Sequence, residues 1–147
     1  MIPQDTAYES KVRESFGRQN HMTTLGAAIE FLAPGEVHLS FPFAERFCQQ
    51  NGFMHAGAIA SVADSANGYA AYSLAPPETD VLAVEFKINL LAPARAESFL
   101  ACGRVLHAGR RLTVCQAEVF TAGPGNRTLI AVMLSTLVVR AMAQSGS

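Results

Sequence analysis

Asp64 is the residue whose position most needs a chemical reason. It is the sole formally charged side chain between Arg46 and Glu78, histidine being taken as neutral. It also falls mid-way along an alanine-rich stretch of helical periodicity, where Asp is a poor helix former. A solvated helix face would carry several charges. Asp64 instead shares its side with Gly57, Ser61, Ser65 and Gly68, small residues that clear space around a carboxylate. A carboxylate with room in front of it can act as a nucleophile or as a general base.

The second chemical feature lies at the start of the same stretch. His55-Ala56-Gly57 would present unpaired backbone N–H groups and the positive end of a helix dipole, which stabilise a developing oxyanion. Asp64 stands eight residues beyond Ala56, about 12 Å along a helix, too far for both to serve one carbonyl carbon. A His55–Asp64 pair within one chain fails similarly, because nine residues rotate by about 180° and rise about 13.5 Å. If two copies pack with these helices antiparallel, the N-terminus of one approaches the middle of the other, and a composite site forms at the interface.

The elements that must position these groups are legible from periodicity. Residues from about Gln4 to Gln19, within an N-terminal segment 1–22, place Tyr8, Val12, Ser15 and Phe16 at helical spacing among charges and predict one amphipathic helix. Ala28–Leu32 and Val37–Phe41, broken by Pro34-Gly35, predict a hairpin. A helix is expected from about His55 to Leu74 with Ile59, Val62, Ala63, Ala66, Tyr69 and Ala70 on its packed face, ended by Pro76-Pro77. Four strands follow at Val81–Leu91, Glu97–His107, Arg111–Thr121 and Thr128–Val139. In the first of them Val84, Phe86, Ile88 and Leu90 alternate with Glu85, Lys87 and Asn89. The order implies an α+β fold in which a curved antiparallel sheet wraps one helix. A single domain is expected over 1–147, with residues 141–147 a frayed tail.

Composition narrows the functional classes. With 50% hydrophobic and 16% charged residues the chain is too apolar to be disordered, and the small charged fraction hints at surface buried between subunits. A net charge of -1 with dispersed Lys and Arg leaves no footprint for nucleic acid. Cys48, Cys102 and Cys115 are an odd number without CxxC spacing and point to a reducing cytoplasm, with Cys102 and Cys115 read as packing thiols in apolar strands. His21, His38, His55 and His107 share no ligand spacing, so no metal is expected. The low-charge run His55 to Pro77 carries Asp64, Asn67 and several Ser and Gly, which argues against a membrane span.

The stretch Gln49-Gln50-Asn51-Gly52-Phe53-Met54-His55-Ala56-Gly57, with Asp64 nine residues after His55, resembles the signature of the PaaI-like hotdog-fold acyl-CoA thioesterases, which include 4-hydroxybenzoyl-CoA thioesterases of the Arthrobacter type. Val84–Ala94 resembles the family's third strand and following turn, and Gly109-Arg110-Arg111 its basic turn. The resemblance implies a hotdog fold, hydrolysis of an aromatic or short- to medium-chain acyl-CoA, and a homodimer or a dimer-of-dimers homotetramer. No cofactor is implied beyond the coenzyme A of the substrate. It further implies that Asp64 is the nucleophile or general base, that the Gln49 amide orients the thioester or the attacking water, and that the backbone N–H of Ala56 polarises the carbonyl. The usual His-Gly-Gly reads His55-Ala56-Gly57 here, and alanine can supply a backbone N–H as well as glycine. The hydroxyls that assist in some members fall near Ala83 or Gly68, so none carries over.

Several assignments stay open at this level. Gln50 or Asn51 could stand in for Gln49. His55 either caps the helix and holds the loop or moves a proton. Arg110 and Arg111 could meet the phosphates of coenzyme A, and Phe53, Met54, Tyr69, Tyr72 and Phe86 could line an acyl pocket. Two other functions fit the same fold: a non-catalytic acyl-CoA-binding protein, and an acyl-thioester hydratase or dehydratase, which would need a His that the helix lacks after Asp64.

Overall fold

The computed structural model describes residues 1–142. The N-terminal segment forms two helices rather than one, α1 (Tyr8–Gly17) and α2 (Asn20–Leu25). The break follows from packing. Val12 of α1 and Met22 and Leu25 of α2 are all buried, and a straight helix could not turn the three toward one core. Gly26 closes α2 with φ 70°, a left-handed cap that glycine adopts without strain.

Strands β1 (Ala28–Ala33) and β2 (Glu36–Pro42) form the expected hairpin around Pro34-Gly35. The central helix α3 spans Ala56–Tyr72, and β3 (Thr79–Leu90), β4 (Ser98–Ala108), β5 (Leu112–Ala122) and β6 (Leu129–Ala141) follow. All neighbours in the sheet are antiparallel, in the order β1-β2-β4-β5-β6-β3. Ala141 lies within β6, paired with Thr79, so the tail begins later than residue 141; residues 143–147 lie outside the described part.

The sheet and α3 meet at backbone distance. A Cβ on Gly103 of β4 would overlap the Ala66 carbonyl of α3 and sit 2.7 Å from the Asn67 nitrogen. Around this point Ile59, Val62, Ala63, Ala66 and Ala70 face Phe41, Phe99, Ala101, Ala117 and Met133 in the core. Asn67, fully buried, donates from Nδ2 to Ser135 Oγ of β6 at 2.7 Å. At the far end Ser73 Oγ accepts from the Gly35 N–H at 2.8 Å and donates to the Ala70 carbonyl, tying the β1–β2 turn to the helix.

The edge strand β3 departs from simple alternation. A bulge between Ala83 and Glu85 leaves Val84 unpaired and out of the face it was expected to share. Beyond it Phe86, Ile88 and Leu90 stand opposite the buried Ser135, Met133 and Ala131, on the helix-bearing face. Yet Phe86 is 48% and Leu90 53% exposed, although the start of β3 lies against α3.

Replacing Gly103 by alanine should lower stability by about 2 kcal/mol or more, since the added methyl must force two backbones apart. Denaturant unfolding of the variant beside wild type measures this; an unchanged midpoint would mean that the helix and β4 separate freely.

Candidate active site

The loop before α3 is built around a small set of bonds. Gln49 N–H donates to the Phe53 carbonyl at 2.8 Å, Gly52 turns the chain at φ 80°, and the Asn51 N–H donates to the Gln49 side-chain Oε1. The Gln49 carbonyl oxygen is thereby engaged, and its NH2 end is left to donate. Asn51 thus serves as a fixing point for Gln49 through its backbone.

His55 is the N-cap of α3. Its backbone is extended at φ -61° and ψ 140°, and its Nδ1 accepts the Gly57 N–H at 2.8 Å. An accepting Nδ1 places the ring proton on Nε2. The Ala58 and Ile59 N–H groups both reach the His55 carbonyl. Of the first N–H groups of the helix, that of Ala56 alone lacks a partner among the described residues, and it sits at the positive end of the dipole. The His55 ring lines a shallow cleft with His21, Arg46 and Ser61, apart from the cavities that hold Gln49 or Asp64.

Asp64 stands about two turns further along α3. Its Oδ1 is buried with no hydrogen-bond partner, and burial raises its carboxyl pKa above the ordinary 3.8. It lines a cavity of about 430 Å³ with Ser15, Arg18, Gln19, Tyr69 and Tyr72, closed on the sheet side by Asp80–Ala83 and Leu137. Two of the small residues beside Asp64, Ser61 and Ser65, do not face open space. The segment joining α1 to α2 folds over them: Ser65 donates to Gln19 Oε1 at 3.2 Å, and Ser61 Oγ meets His21 Nε2 at 3.0 Å. Burial also holds the Tyr69 and Tyr72 phenols above their usual range, so both remain neutral donors.

Gln49 and Ala56 line a different cavity, of about 420 Å³, with Phe53, Met54, Ile59, Leu90 to Ala94 and Ile130. The structure therefore brings Gln49, Asn51 and Ala56 together and keeps Asp64 away from them within one chain. The expected pocket aromatics divide in the same way, Phe53 and Met54 with Gln49, Tyr69 and Tyr72 with Asp64, while Phe86 lines neither cavity. Arg110 and Arg111 are exposed on the β4–β5 turn. That turn lies at the end of the sheet where Val81 borders the Asp64 cavity: the Arg111 carbonyl accepts from Val139 N–H, and Val139 pairs with Val81. Arg18, Gln19 and Asp80 were not anticipated from sequence, since no spacing relates them to Asp64.

A six-stranded antiparallel sheet wrapped on one long helix is the architecture of the hotdog thioesterases. Solved structures share it closely: a thioesterase family protein from Silicibacter pomeroyi is 47% identical with a TM-score of 0.90, covering 92% of this chain and 99% of its own. A thioesterase of Haemophilus influenzae, 20% identical, covers both chains completely at a TM-score of 0.84 and shares the fold. In sequence, a Saccharolobus solfataricus protein with the provisional name of esterase is 33% identical over 130 residues, 88% of this chain and 84% of its own. The 1,4-dihydroxy-2-naphthoyl-CoA hydrolase of Escherichia coli is 27% identical over 106 residues, 72% of this chain and 78% of its own. The profile of the thioesterase superfamily matches residues 51–127, and the chain belongs to that superfamily and is a thioester hydrolase. No helix among the described residues is long and apolar enough to cross a membrane.

The buried carboxylate has a thermodynamic signature. Because the folded-state pKa of Asp64 is raised, its contribution favours folding at low pH and is lost as pH rises through that pKa. Asp64→Asn removes the loss. The variant should match wild type in melting temperature below the ordinary carboxylate value of 3.8, gain on it as pH rises from there to the raised pKa, and hold a constant lead above it, read by thermal unfolding across pH; a gap that shrinks over that window would contradict the buried, unpaired carboxylate.

Proposed function

We propose that the protein hydrolyses an acyl-CoA thioester to the free acid and coenzyme A, in a site shared between two subunits. The observation that carries this reading is the division of one set of groups, Ala56 N–H with Gln49 on one side and Asp64 on the other, between two cavities along a single rigid helix. Two copies with antiparallel α3 helices unite them. The uncovered apolar residues of β3 support such a pairing, since Leu82, Val84, Phe86, Leu90 and Leu91 leave the edge strand and its continuation exposed for a second chain. A homodimer is the smallest assembly that completes the site, and a dimer of dimers would preserve it.

In the joined site the thioester carbonyl oxygen lies against the Ala56 N–H, which strengthens its hold as negative charge develops. The Gln49 NH2 group, its carbonyl end fixed by the Asn51 N–H, donates beside it. Asp64 of the partner subunit supplies the carboxylate, its basicity raised by burial. Gly57 and His55 act one step removed, His55 consuming the Gly57 N–H and so leaving Ala56 as the donor. Arg110 and Arg111 are the cations we assign to the coenzyme A phosphates. Relationship to the naphthoyl-CoA hydrolase supports an aromatic acyl group, and an aliphatic chain of similar length suits the same space.

The test uses two variants and their mixture. Ala56→Pro deletes the N–H at the first helical position, where proline is tolerated, and the extended His55 backbone already suits a following proline. Free thiol release from a panel of acyl-CoA esters should fall about a hundredfold or more in Ala56→Pro and in Asp64→Asn. Unfolded together and refolded, the two should recover about a quarter of wild-type activity, because half of the dimers are mixed and each holds one intact composite site. A mixture as inactive as its parents would remove the shared site; a wild type that hydrolyses no thioester would remove the substrate assignment.

A further inference from the structure

The α1–α2 junction has no part in the mechanism so far, yet it delivers Gln19 to the same cavity as Asp64. Its conformation is fixed from two sides. Ser65 Oγ, next in sequence to Asp64, donates to Gln19 Oε1 at 3.2 Å, and His21 Nε2 meets Ser61 Oγ at 3.0 Å. Ser61 gives its own hydroxyl proton to the Gly57 carbonyl, so His21 is the donor in that pair. With its carbonyl oxygen taken by Ser65, the Gln19 amide has its NH2 end left for whatever occupies the cavity. Asp64 lines the same cavity: its Oδ1 is buried without a partner, whereas Oδ2 is not buried in this way and is the oxygen left for the cavity. No direct hydrogen bond joins Gln19 to Asp64 among the described residues. A fixed donor and a basic acceptor lining one cavity without bonding each other are the conditions for a bound water.

We infer that Gln19 is a positioning residue that seats the attacking water against Asp64, so that Asp64 works as a general base. The inference rests on the thioesterase reading above. The water accepts from Gln19 Nε2 and donates one proton to Asp64 Oδ2, and its remaining lone pair is free to attack. Its oxygen bonds to the thioester carbon while that proton passes to Asp64, and the carbonyl π pair moves onto the oxygen held by Ala56 of the partner subunit. Collapse breaks the C–S bond. The thiolate of coenzyme A leaves and takes the proton back from Asp64, so atoms and charge balance with no further reactant. The charged and titratable groups that face Asp64 in this cavity are Arg18 from the junction, Tyr69 and Tyr72 from α3, and Asp80 from the start of β3.

The experiment is steady-state hydrolysis of one acyl-CoA ester across pH by wild type, Gln19→Met, Gln19→Glu and His21→Ala, joined to a single turnover of excess wild-type enzyme in 18O-water. Gln19→Met keeps the length and removes the donor, and kcat should fall about tenfold, the worth of one hydrogen bond, with KM within about twofold. Gln19→Glu also removes the donor, and its charge should move the acidic limb of kcat to higher pH. His21→Ala breaks the other tie of the junction but removes no donor from the cavity, so kcat should fall less than in Gln19→Met and the limb should stay in place. The single turnover should put solvent oxygen into the acid and none into the enzyme. A Gln19→Met variant with wild-type kcat, a loss in His21→Ala equal to that in Gln19→Met with an unmoved limb, or label retained on Asp64 overturns the water seat while leaving thioester hydrolysis standing. Absence of wild-type turnover overturns both.

Discussion

The contact on which the rest of the molecule depends is the approach of α3 to β4 at Gly103, where no side chain separates the helix backbone from the strand. Side chains of ordinary size would hold a helix and a sheet about 10 Å apart. Here alanines at positions 60, 63, 66, 70 and 71 on the helix, with Ala101 and Ala117 on the strands, let the sheet close around it. The helix is thereby fixed in depth and rotation, with the buried Asn67–Ser135 and Ser73–Gly35 bonds setting its register. Asp64 inherits that fixity. A carboxylate on a helix that could roll would relieve its buried oxygen by turning to solvent, and its raised basicity would go with it.

The same rigidity explains why the site is divided. A helix of 17 residues carries its dipole end and its central carboxylate at a separation no side-chain movement can close, so the proposed reaction needs a second copy to bring an acid–base group to an oxyanion donor. The uncovered residues of β3 belong to this constraint. Phe86 and Leu90 point to the face that elsewhere holds α3, and they remain exposed beyond the stretch Asp80–Ala83 that shares a cavity with α3 residues. Exposure on that face is what the proposed dimer would cover; exposure of scattered residues on the other face needs no such account.

Much of this was legible in the sequence, and the reasons differ from element to element. Alternation located the strands within about three residues, and the alanine-rich period located α3, because both signals arise from contacts local to the chain. The charge-poor setting of Asp64 and the arithmetic of helical rise were enough to divide its cavity from that of Ala56. What escaped depended on encounters distant in sequence. The break between α1 and α2 is imposed by a core that Val12, Met22 and Leu25 must share, and the bulge at Val84 by pairing with β6. The covering of Ser61 and Ser65 by His21 and Gln19 joins residues more than 39 positions apart, and no local pattern announces it.

That covering alters the meaning of the small residues around Asp64. From sequence they suggest room for a ligand; in the fold, two of the four are hydrogen-bonding posts that hold a second wall in place. Serine suits both demands, since it is small enough to admit the α1–α2 junction and polar enough to fix an amide and an imidazole on it. Gly68 lines the cavity without contacts that a Cβ would disturb, and keeps that side of Asp64 open. The carboxylate thus stands between a wall that desolvates it and an open cavity. A base needs both conditions: burial on one side raises its proton affinity, and access on the other lets it use that affinity on a substrate.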